Sequence, residues 1–355
     1  MAPNTELAAK VDRISRWLQG RDAHAALLTA APNVAWMSCG GELLRADTPV
    51  GFVVTAKQCF FLSPSEDVER IRQEEVRGLA VELVAVPALG IETLVARART
   101  LLPPGTRWTS DVPGLGFDHD RSIEQLRRTL LPEEIERLRK LAREAAAVVE
   151  EVATECYRGI LERDAAARLA SECVRRQMTP ELILAGADER LEQYTRPLPK
   201  SACAEHTLVL GLVARRGGLH VALSRTVCLA EPRAALLERF DTLARLTARL
   251  CSEARPGEEL GQVVQRALPP KALASSLGGV AGYALPEVEA LPESSWELAA
   301  GQALAWTLAT PGILLYETTL LGASGCEPLT VTEDWPRRTI ELAGRSHEIP
   351  DLLLV

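Results

Sequence analysis

The residues with the clearest chemical pattern lie between His206 and Leu229, in the segment HTLVLGLVARRGGLHVALSRTVCL. Two apolar stretches flank Arg215–Gly218, whose glycines accept the backbone angles of a tight turn, and this predicts a β-hairpin. Because side chains alternate along a strand, one face of the second strand carries small or weakly polar residues: His220, Ala222, Ser224, Thr226 and Cys228. Such a face can line a cavity, or it can let a helix pack closely, and the pattern alone leaves both interpretations open.

The eight cysteines form no metal-binding or nucleophilic pattern. None stands in a C-x-x-C motif and no histidine cluster lies near them, which argues against a structural zinc site. Cys203 and Cys228 lie near the predicted hairpin, but no base is placed to activate either thiol. The glycine pairs at 217–218 and 278–279 lack the strand–glycine–helix order of a phosphate-binding loop.

The composition is that of an ordinary globular protein, with 47% hydrophobic and 25% charged residues. Forty Lys and Arg against 48 Asp and Glu give a net charge of −8, so we expect binding to neither nucleic acid nor anionic membranes. The N-terminal residues predict a short amphipathic helix rather than an export signal, and no apolar run approaches the roughly 18 residues of a membrane span. A cytoplasmic protein is therefore expected.

A length of 355 residues predicts two or three domains, since a domain usually takes about 100–200 residues. Residues 1–128 alternate predicted strands and helices, which is typical of an α/β domain. The stretch Thr129–Glu134 combines a capping residue, a proline and two acids, as at the start of a helix. Residues 129–355 then give two long helices, the hairpin, further helices and a β-rich end, so we expect an α+β second domain.

Four segments in the right order resemble the pita-bread metallopeptidases, a family that includes aminopeptidase P, prolidase, methionine aminopeptidase and the metal-free creatinase. GGLHVALSRTV resembles G-Y-x-S-D-x-T-R-T, with Arg225 and Thr226 on its last two positions. Gly278–Glu287 resembles G-H-G-x-G-x-x-x-H-E, Gly301–Gly312 resembles G-M-V-x-x-x-E-P-G, and YETTLL at 316–321 resembles x-E-D-T-x-L. The resemblance implies a pita-bread domain at 129–355, preceded by a smaller creatinase-type α/β domain at 1–128.

The resemblance also implies where the family binds two metal ions. In chain order, the matching positions hold Gly211 and Ala222 for two aspartates, Gly279 for a histidine and Thr307 (less securely Thr310) for a glutamate. Glu317 matches the last, metal-bridging glutamate and is the one ligand retained of five. Two divalent ions need several carboxylates and a histidine, so we expect no metal and no other cofactor here.

Without metals, a buried Glu317 needs a cationic partner or a raised pKa. The resemblance to creatinase implies that histidine and glutamate can act as acid and base on this scaffold. We therefore predict that Glu317 and His220 form a catalytic pair that moves a proton on a small amino-acid-derived or amidino compound, by C–N hydrolysis, elimination or isomerisation. In the alternative interpretation, Glu317 is a structural partner of Arg225 and His220 is a buried histidine with a satisfied hydrogen bond.

Five further residues are predicted to bind the substrate. Arg196 stands in the segment YTRP, which resembles a loop that often carries a catalytic histidine, and its guanidinium can clamp a carboxylate. The others lie near the predicted cavity: Tyr283, Glu287, Arg225 and Thr307. For Tyr283, simple packing is the alternative.

Three functions are compatible with these residues. The first is a metal-independent enzyme, the second a non-catalytic member that binds a ligand or partner, and the third a residual metallopeptidase that cleaves Xaa–Pro bonds. An enzyme should bring Glu317 within bonding reach of His220 or Arg196, whereas a scaffold should close or fill the old cleft with apolar side chains. The resemblance further implies a homodimer.

Overall fold

The computed structural model describes residues 5–43, 49–76, 78–87, 90–269, 277–342 and 344–355. The chain separates into two compact units, Met1–Glu134 and Ile135–Val355. The boundary that the sequence places after residue 128 falls a few residues earlier than this division. None of the described helices is long and apolar enough to cross a membrane.

The first unit contains a six-stranded mixed sheet with helices. Its helices are α1 Thr5–Gln19, α2 Ala31–Met37, α3 Val68–Arg70, which continues as a π-helical turn Ile71–Glu75, and α4 Ile91–Arg99. Its strands are β1 Ala25–Leu28, β2 Gly51–Thr55, β3 Cys59–Pro64, β4 Glu82–Val86, β5 Trp108–Ser110 and β6 Asp118–His119, in the sheet order β4-β3-β2-β1-β5-β6. A 3-10 helix at Arg121–Arg127 ends the unit's regular structure before the next helix. Leu94 and Ala98 of α4 pack against Phe60 and Val84 of the sheet, as the alternation of predicted strands and helices requires.

A buried ion cluster connects the elements of this unit. The Lys10 side chain on α1 is fully buried, and its Nζ lies 2.6 Å from the Glu6 carboxylate and 2.9 Å from that of Glu134. The same Nζ donates to the Trp36 carbonyl of α2 at 2.5 Å. One cation therefore holds α1, α2 and the start of the following helix together, and all of these contacts lie within the first unit.

Replacing this cation should destabilise the first unit strongly. Lys10→Met leaves two buried carboxylates without their shared cation, and we expect the free energy of unfolding to fall by about 3–5 kcal/mol in chemical unfolding experiments. Arg16→Met is the matched control, because Arg16 pairs with Asp12 in an exposed i,i+4 contact and its loss should cost less than about 1 kcal/mol. Equal effects of the two substitutions would contradict a structural role for the Lys10 cluster.

The second unit contains two larger sheets with paired helices. Its helices are α5 Pro132–Thr154 (whose first turn belongs to the first unit), α6 Glu162–Arg175, α7 Asp188–Gln193, α8 Ala234–Glu253 and α9 Leu260–Ala267. Its strands are β7 Thr179–Ala187, β8 Thr207–Arg216, β9 Leu219–Cys228, β10 Gly278–Ala281, β11 Val288–Glu289, β12 Gln302–Thr310, β13 Ile313–Gly322, β14 Gly325–Pro328, β15 Arg337–Leu342, β16 Arg345–Pro350 and β17 Leu353–Leu354. They form a four-stranded sheet β17-β9-β8-β7, a five-stranded sheet β11-β10-β12-β13-β14 and the β15-β16 hairpin.

The hairpin predicted from the sequence is β8–β9. Gly217 and Gly218 form its turn with φ of +55° and +79°, which glycine adopts without a steric cost, and Arg216 pairs with Leu219. Because directly paired residues share a face, Gly211 lies beside Ser224, and Val213 lies beside Ala222. The set of small residues therefore occupies one face, as the alternation predicts.

The five-stranded sheet has two different faces. One carries Leu304 and Trp306 and packs on residues of α8 and α9 such as Leu250 and Val263. The other turns toward the four-stranded sheet, where Leu314 and Tyr316 of β13 pack with Leu184 of β7 and Val209 of β8. The space between these two facing sheet surfaces is called the cleft below.

Candidate functional site

The fold brings four of the implied ligand positions to the cleft. Gly211 and Ala222 lie on the cleft face of the β8–β9 hairpin. Gly279 pairs with Ala305, and Thr307 shares the face of Ala305 two residues along β12. Their side chains are hydrogen, methyl, hydrogen and a hydroxyl, so these four positions together supply no carboxylate and no imidazole.

Direct contacts join the two sheets at Ala222 and Ser224 of β9. Leu184 of β7 pairs directly with Gly211 of β8 within the four-stranded sheet, and a Cβ on Gly211 would lie 3.3 Å from Leu184 Cβ, so the leucine side chain lies beside this glycine on the same face. The Thr318 hydroxyl accepts from the Ala222 N–H and donates to the Ala222 carbonyl, both at 2.9 Å. The Ser224 hydroxyl likewise donates to the Leu314 carbonyl and accepts from the Tyr316 N–H. Apolar side chains and strand-to-strand hydrogen bonds thus fill this part of the cleft.

Gly279 stands where the backbone leaves no room for a side chain. Its φ is +144°, and a Cβ built there would lie 2.0 Å from the Val288 carbonyl oxygen and 2.8 Å from the Ala290 nitrogen. Real Cβ atoms do not approach backbone atoms this closely. A histidine ligand at this position is incompatible with the observed course of the chain.

Glu317, the one retained ligand in the sequence comparison, does not face the cleft. It pairs directly with Trp306, whereas Tyr316 pairs with Thr307, so Glu317 lies on the opposite face of β13 from the four positions described above. The structure therefore places Tyr316 where the sequence resemblance placed a bridging carboxylate. The difference is one residue in register, which on a strand exchanges the two faces.

Glu317 is instead one of two carboxylates in a buried ion cluster around Arg225. The Arg225 guanidinium donates to Glu317 Oε1 at 3.0 Å and, through Nε and Nη2, to Glu150 Oε1 of α5 at 2.9 and 2.7 Å. It also donates to the Thr330 carbonyl, and the Thr330 hydroxyl donates to Glu317 Oε2 at 2.6 Å. Glu317 is thus fully engaged by Arg225 and Thr330, as in the structural alternative that the sequence left open.

This environment sets the ionisation of Glu317. Burial raises the pKa of its carboxyl group to about 7, and the neighbouring Glu150 acts in the same direction. Arg225 and the Thr330 hydroxyl oppose this rise but do not cancel it. One guanidinium is shared between two carboxylates, so the cluster favours a proton on Glu317 near neutral pH.

His220 lies at the other end of β9 and does not meet Glu317. Its Nδ1 is 3.2 Å from the Gly282 carbonyl oxygen, and burial lowers the pKa of its imidazole. His220 and Arg225, the partner of Glu317, are five residues apart along an extended strand, roughly 16 Å, and their side chains point to opposite faces. The predicted pair is therefore not brought together within the described part of the chain.

The remaining predicted substrate-binding residues fall into two groups. Tyr283 and Glu287 belong to a turn in which the Glu287 carboxylate accepts from the backbone N–H groups of Tyr283 and Ala284, both at 3.1 Å. Arg196 belongs with the cleft, because its exposed side chain reaches toward the buried Tyr316 hydroxyl. Burial raises the pKa of the Tyr316 phenol, and the Arg196 cation opposes that rise.

The family comparison agrees with this architecture. The model of metallopeptidase family M24 matches residues 136–314, half of the chain, and the chain belongs to this family. No curated protein sequence matches the chain significantly. The family predicted from the four sequence segments is thereby confirmed.

Solved structures confirm the predicted fold. Prolidase from Pyrococcus horikoshii OT3 superposes with a TM-score of 0.74 at 17% identity, covering 92% of this chain and 99% of that one. Xaa-Pro dipeptidase from Bacillus anthracis gives 0.75 at 15% identity, covering 98% and 100%. The N-terminal domain of the FACT complex subunit SPT16 from chickpea gives 0.69 at 11% identity, covering 92% and 96%. The chain is thus similar over nearly its whole length to pita-bread proteins with an N-terminal domain.

The residues present do not fit the pair of metal ions that the family name implies. Among the described residues, no group of three or more His, Cys, Asp or Glu side chains is arranged to hold a metal ion. The cleft face offers the hydroxyls of Thr307 and Tyr316, which are weak ligands for divalent ions compared with carboxylates. The nearest retained carboxylate, Glu317, is bound to Arg225 on the other face of its strand.

Three residues that matter here were not assigned a role from the sequence. Glu150 stands in the segment AAAVVEEV of α5, where an acid within an apolar helix face signals a buried ion pair. Tyr316 precedes Glu317, and only the pairing of β13 with β12 shows which of the two faces the cleft. Leu184 carries no sequence signal, because an apolar residue in a strand is the ordinary case.

The raised pKa of Glu317 predicts a pH-dependent stability. The folded state holds a proton on this group between its ordinary pKa of 4.5 and about 7, so its contribution is fully present below 4.5 and is lost as the pH rises through 7. Glu317→Gln removes this titration. As the pH rises from 4.5 to 8, we expect the unfolding free energy of the variant to increase by about 3 kcal/mol relative to that of the wild type. Unfolding titrations of both proteins across this range measure the difference.

Glu327→Gln serves as the control for that experiment. Glu327 is an exposed carboxylate paired with Arg139, and its replacement should leave the pH profile within about 1 kcal/mol of wild type. If the difference between wild type and Glu317→Gln stays constant with pH, Glu317 does not titrate in the predicted range.

Another prediction concerns Gly279, where backbone atoms of Val288 and Ala290 occupy the space of a side chain. Gly279→Ala places a Cβ against the Val288 carbonyl, and we expect a loss of at least about 3 kcal/mol of stability. Gly257→Ala is the control that separates backbone strain from steric crowding. Gly257 also has a positive φ, +89°, but no atom lies within 4 Å of its Cβ position. This substitution should therefore cost only about 1 kcal/mol of stability. Similar losses for both variants would contradict the close backbone approach.

Proposed function

We propose that this chain is a non-catalytic member of family M24 that has lost the dinuclear metal site and acts by binding. One observation carries the proposal: the four cleft positions that match metal ligands hold Gly211, Ala222, Gly279 and Thr307. The hydrogen bonds that join β13 to β9 support it further. A closed, apolar cleft is what the sequence analysis expects of a scaffold.

A metal-independent enzyme that uses Glu317 and His220 has less support. Acid–base catalysis requires both groups within hydrogen-bond reach of one substrate. Glu317 is held by Arg225 and Thr330, while His220 contacts the Gly282 carbonyl. These separate contacts hold the two groups apart, so a reaction that needs both is disfavoured.

The similarity to a domain of the FACT complex subunit SPT16 supports a binding role for the same architecture. That fold is found in a subunit of a complex as well as in prolidases. A homodimer and a cytoplasmic location, both expected from the sequence, stay predictions.

The proposal predicts that the purified protein neither retains divalent metals nor cleaves Xaa–Pro peptides. After incubation with Mn²⁺, Co²⁺ or Zn²⁺ and desalting, elemental analysis should give far less than one ion per chain, because the cleft lacks the carboxylates and histidine that bind such ions. Mass spectrometry of Xaa–Pro dipeptides incubated with the protein should show no hydrolysis, with or without a chelator.

A prolidase of similar fold, such as that from Pyrococcus horikoshii, is the positive control under the same conditions. Two tightly bound ions per chain together with chelator-sensitive cleavage would overturn the proposal. Chelator-insensitive turnover of a small substrate that is abolished in Glu317→Gln would instead support the metal-independent enzyme.

A further inference from the structure

Two cysteines that are distant in sequence face each other between α8 and the strand β14. Cys251 lies near the C-terminal end of α8 and is 8% exposed, within the core cluster that α8 forms with β12 and β13. Cys326 lies on β14 and pairs directly with Leu321 of β13, a member of the same cluster. Because directly paired residues share a face, the register of β14 directs the Cys326 side chain toward α8.

The two thiols are in contact. Cys326 packs against the core cluster that contains Cys251, and α8 contacts β14 directly. The Cys251 thiol donates a hydrogen bond to the Cys326 sulfur, and both are free cysteines. A disulfide requires sulfur atoms about 2 Å apart, so two thiols that already share a hydrogen bond need only a small further approach to form one.

The surroundings make the two thiols unequal. The hydrogen bond from Cys251, the Thr319 hydroxyl and the charge of Arg255 lower the pKa of the Cys326 thiol, although burial opposes them. The hydrogen bond to Cys326 and burial raise the pKa of the Cys251 thiol well above its ordinary value. Since the thiolate is the reactive form, Cys326 is the sulfur that can attack, and Cys251 is the one that keeps its proton.

Cys326 is also the more accessible thiol of the two. β14 is the outer strand of its sheet, and Cys326 is partly exposed, whereas Cys251 is buried. A lowered pKa, partial exposure and a neighbouring second thiol are the features of a redox-sensitive cysteine. Buried cysteines elsewhere in the chain differ, because burial raises the pKa of Cys59 to about 12 and the pKa of Cys156, Cys173 and Cys228 to about 11.

We propose that Cys326 and Cys251 are a site of reversible oxidation, at which a peroxide converts the two thiols to a disulfide. The Cys326 thiolate attacks one oxygen of hydrogen peroxide, the O–O bond breaks, and the departing hydroxide takes up the proton that Cys326 released. The Cys251 thiol then attacks the sulfur of the resulting sulfenic acid, the S–S bond forms, and a second water leaves with the Cys251 proton. The two thiols lose two electrons, which reduce one peroxide to two waters.

The disulfide joins α8 to β14 across the core of the second unit. A link between positions so far apart in sequence restricts the unfolded chain, so oxidation should raise the urea midpoint of unfolding. A dithiol reductant reverses the link by thiol–disulfide exchange. This modification goes beyond the proposed binding function and does not rest on it.

The test treats the reduced full-length protein with equimolar hydrogen peroxide in the presence of a chelator, and then blocks the remaining thiols with N-ethylmaleimide. Mass spectrometry should count two fewer blocked thiols than in untreated protein. Digestion without reductant should release a linked pair of peptides that contain Cys251 and Cys326. Dithiothreitol should restore both thiols, and the urea midpoint should rise on oxidation and return on reduction.

Two cysteine variants distinguish the roles of the thiols. In Cys251→Ala the sulfenic acid of Cys326 has no thiol to resolve it, so dimedone, which labels sulfenic acids, should modify Cys326. In Cys326→Ala the buried Cys251 should stay unlabelled, because its thiol keeps its proton. Cys203→Ala removes an exposed thiol and should leave the link unchanged.

A pair of arginine variants tests the charge beside Cys326. Arg255→Gln should slow formation of the disulfide at neutral pH by about twofold or more, because the thiolate loses a stabilising cation. Arg245→Gln is the matched control, since that exposed arginine is bonded to Asp241, and it should leave the rate unchanged.

The proposal is overturned if peroxide yields no linked Cys251–Cys326 peptides, or if they form only in urea-unfolded protein. Dimedone labelling of Cys251 in Cys326→Ala as fast as that of Cys326 in Cys251→Ala would equally contradict it. The peptide analysis uses the wild-type protein, so it decides the proposal even if a substitution at Cys251 destabilises the fold. The metal and Xaa–Pro assays have no bearing on it, so the failures of the two proposals are distinguishable.

Discussion

The second unit depends on one buried cation, Arg225. Its guanidinium holds two carboxylates from different elements, Glu150 of α5 and Glu317 of β13, and also reaches the Thr330 carbonyl. Removing one partner from a buried ion pair typically costs about 3–5 kcal/mol of stability. The stability of the second unit is therefore expected to depend on Arg225. The pairing of β13 with β12 turns Glu317 toward this cluster and Tyr316 toward the cleft.

This arrangement explains how a member of a metallopeptidase family can have a carboxylate at a familiar place in its sequence that does not face the cleft. Glu317 follows the cleft residue Tyr316 in sequence, but it lies on the opposite face of β13, where Arg225 and Thr330 bond its carboxyl group. On the cleft face, the Leu184 side chain lies beside Gly211, and the Ser224 and Thr318 hydroxyls bond across to the opposing strand. The small residues Gly211 and Ala222 stand at positions that match metal ligands, on the strands that contact β13 and β7.

Most of the architecture follows from local sequence patterns. Gly217 and Gly218 between alternating strands predict the hairpin, and the acidic start after Thr129 predicts α5, because turns and helix ends depend on a few neighbouring residues. The face of Glu317 was not predictable in this way. A shift of one residue between β12 and β13 exchanges Tyr316 with Glu317, and no local feature of YETTLL fixes that register. Distances between elements, such as that separating His220 from Glu317, depend on the same pairing and become visible only in the folded chain.

The central claim is that the cleft does not bind metal ions. The positions that match metal ligands carry no carboxylate and no imidazole, and the carboxyl group of Glu317 is bonded to Arg225 on the other face of β13. A crystal structure of the protein grown in excess Mn²⁺, with anomalous diffraction data, tests this claim most directly. The account predicts no anomalous peak between Gly211, Ala222 and Thr307, with the Glu317 carboxylate in contact with Arg225. Strong peaks within about 2.2 Å of Glu317 oxygens, with its side chain turned into the cleft, would contradict it.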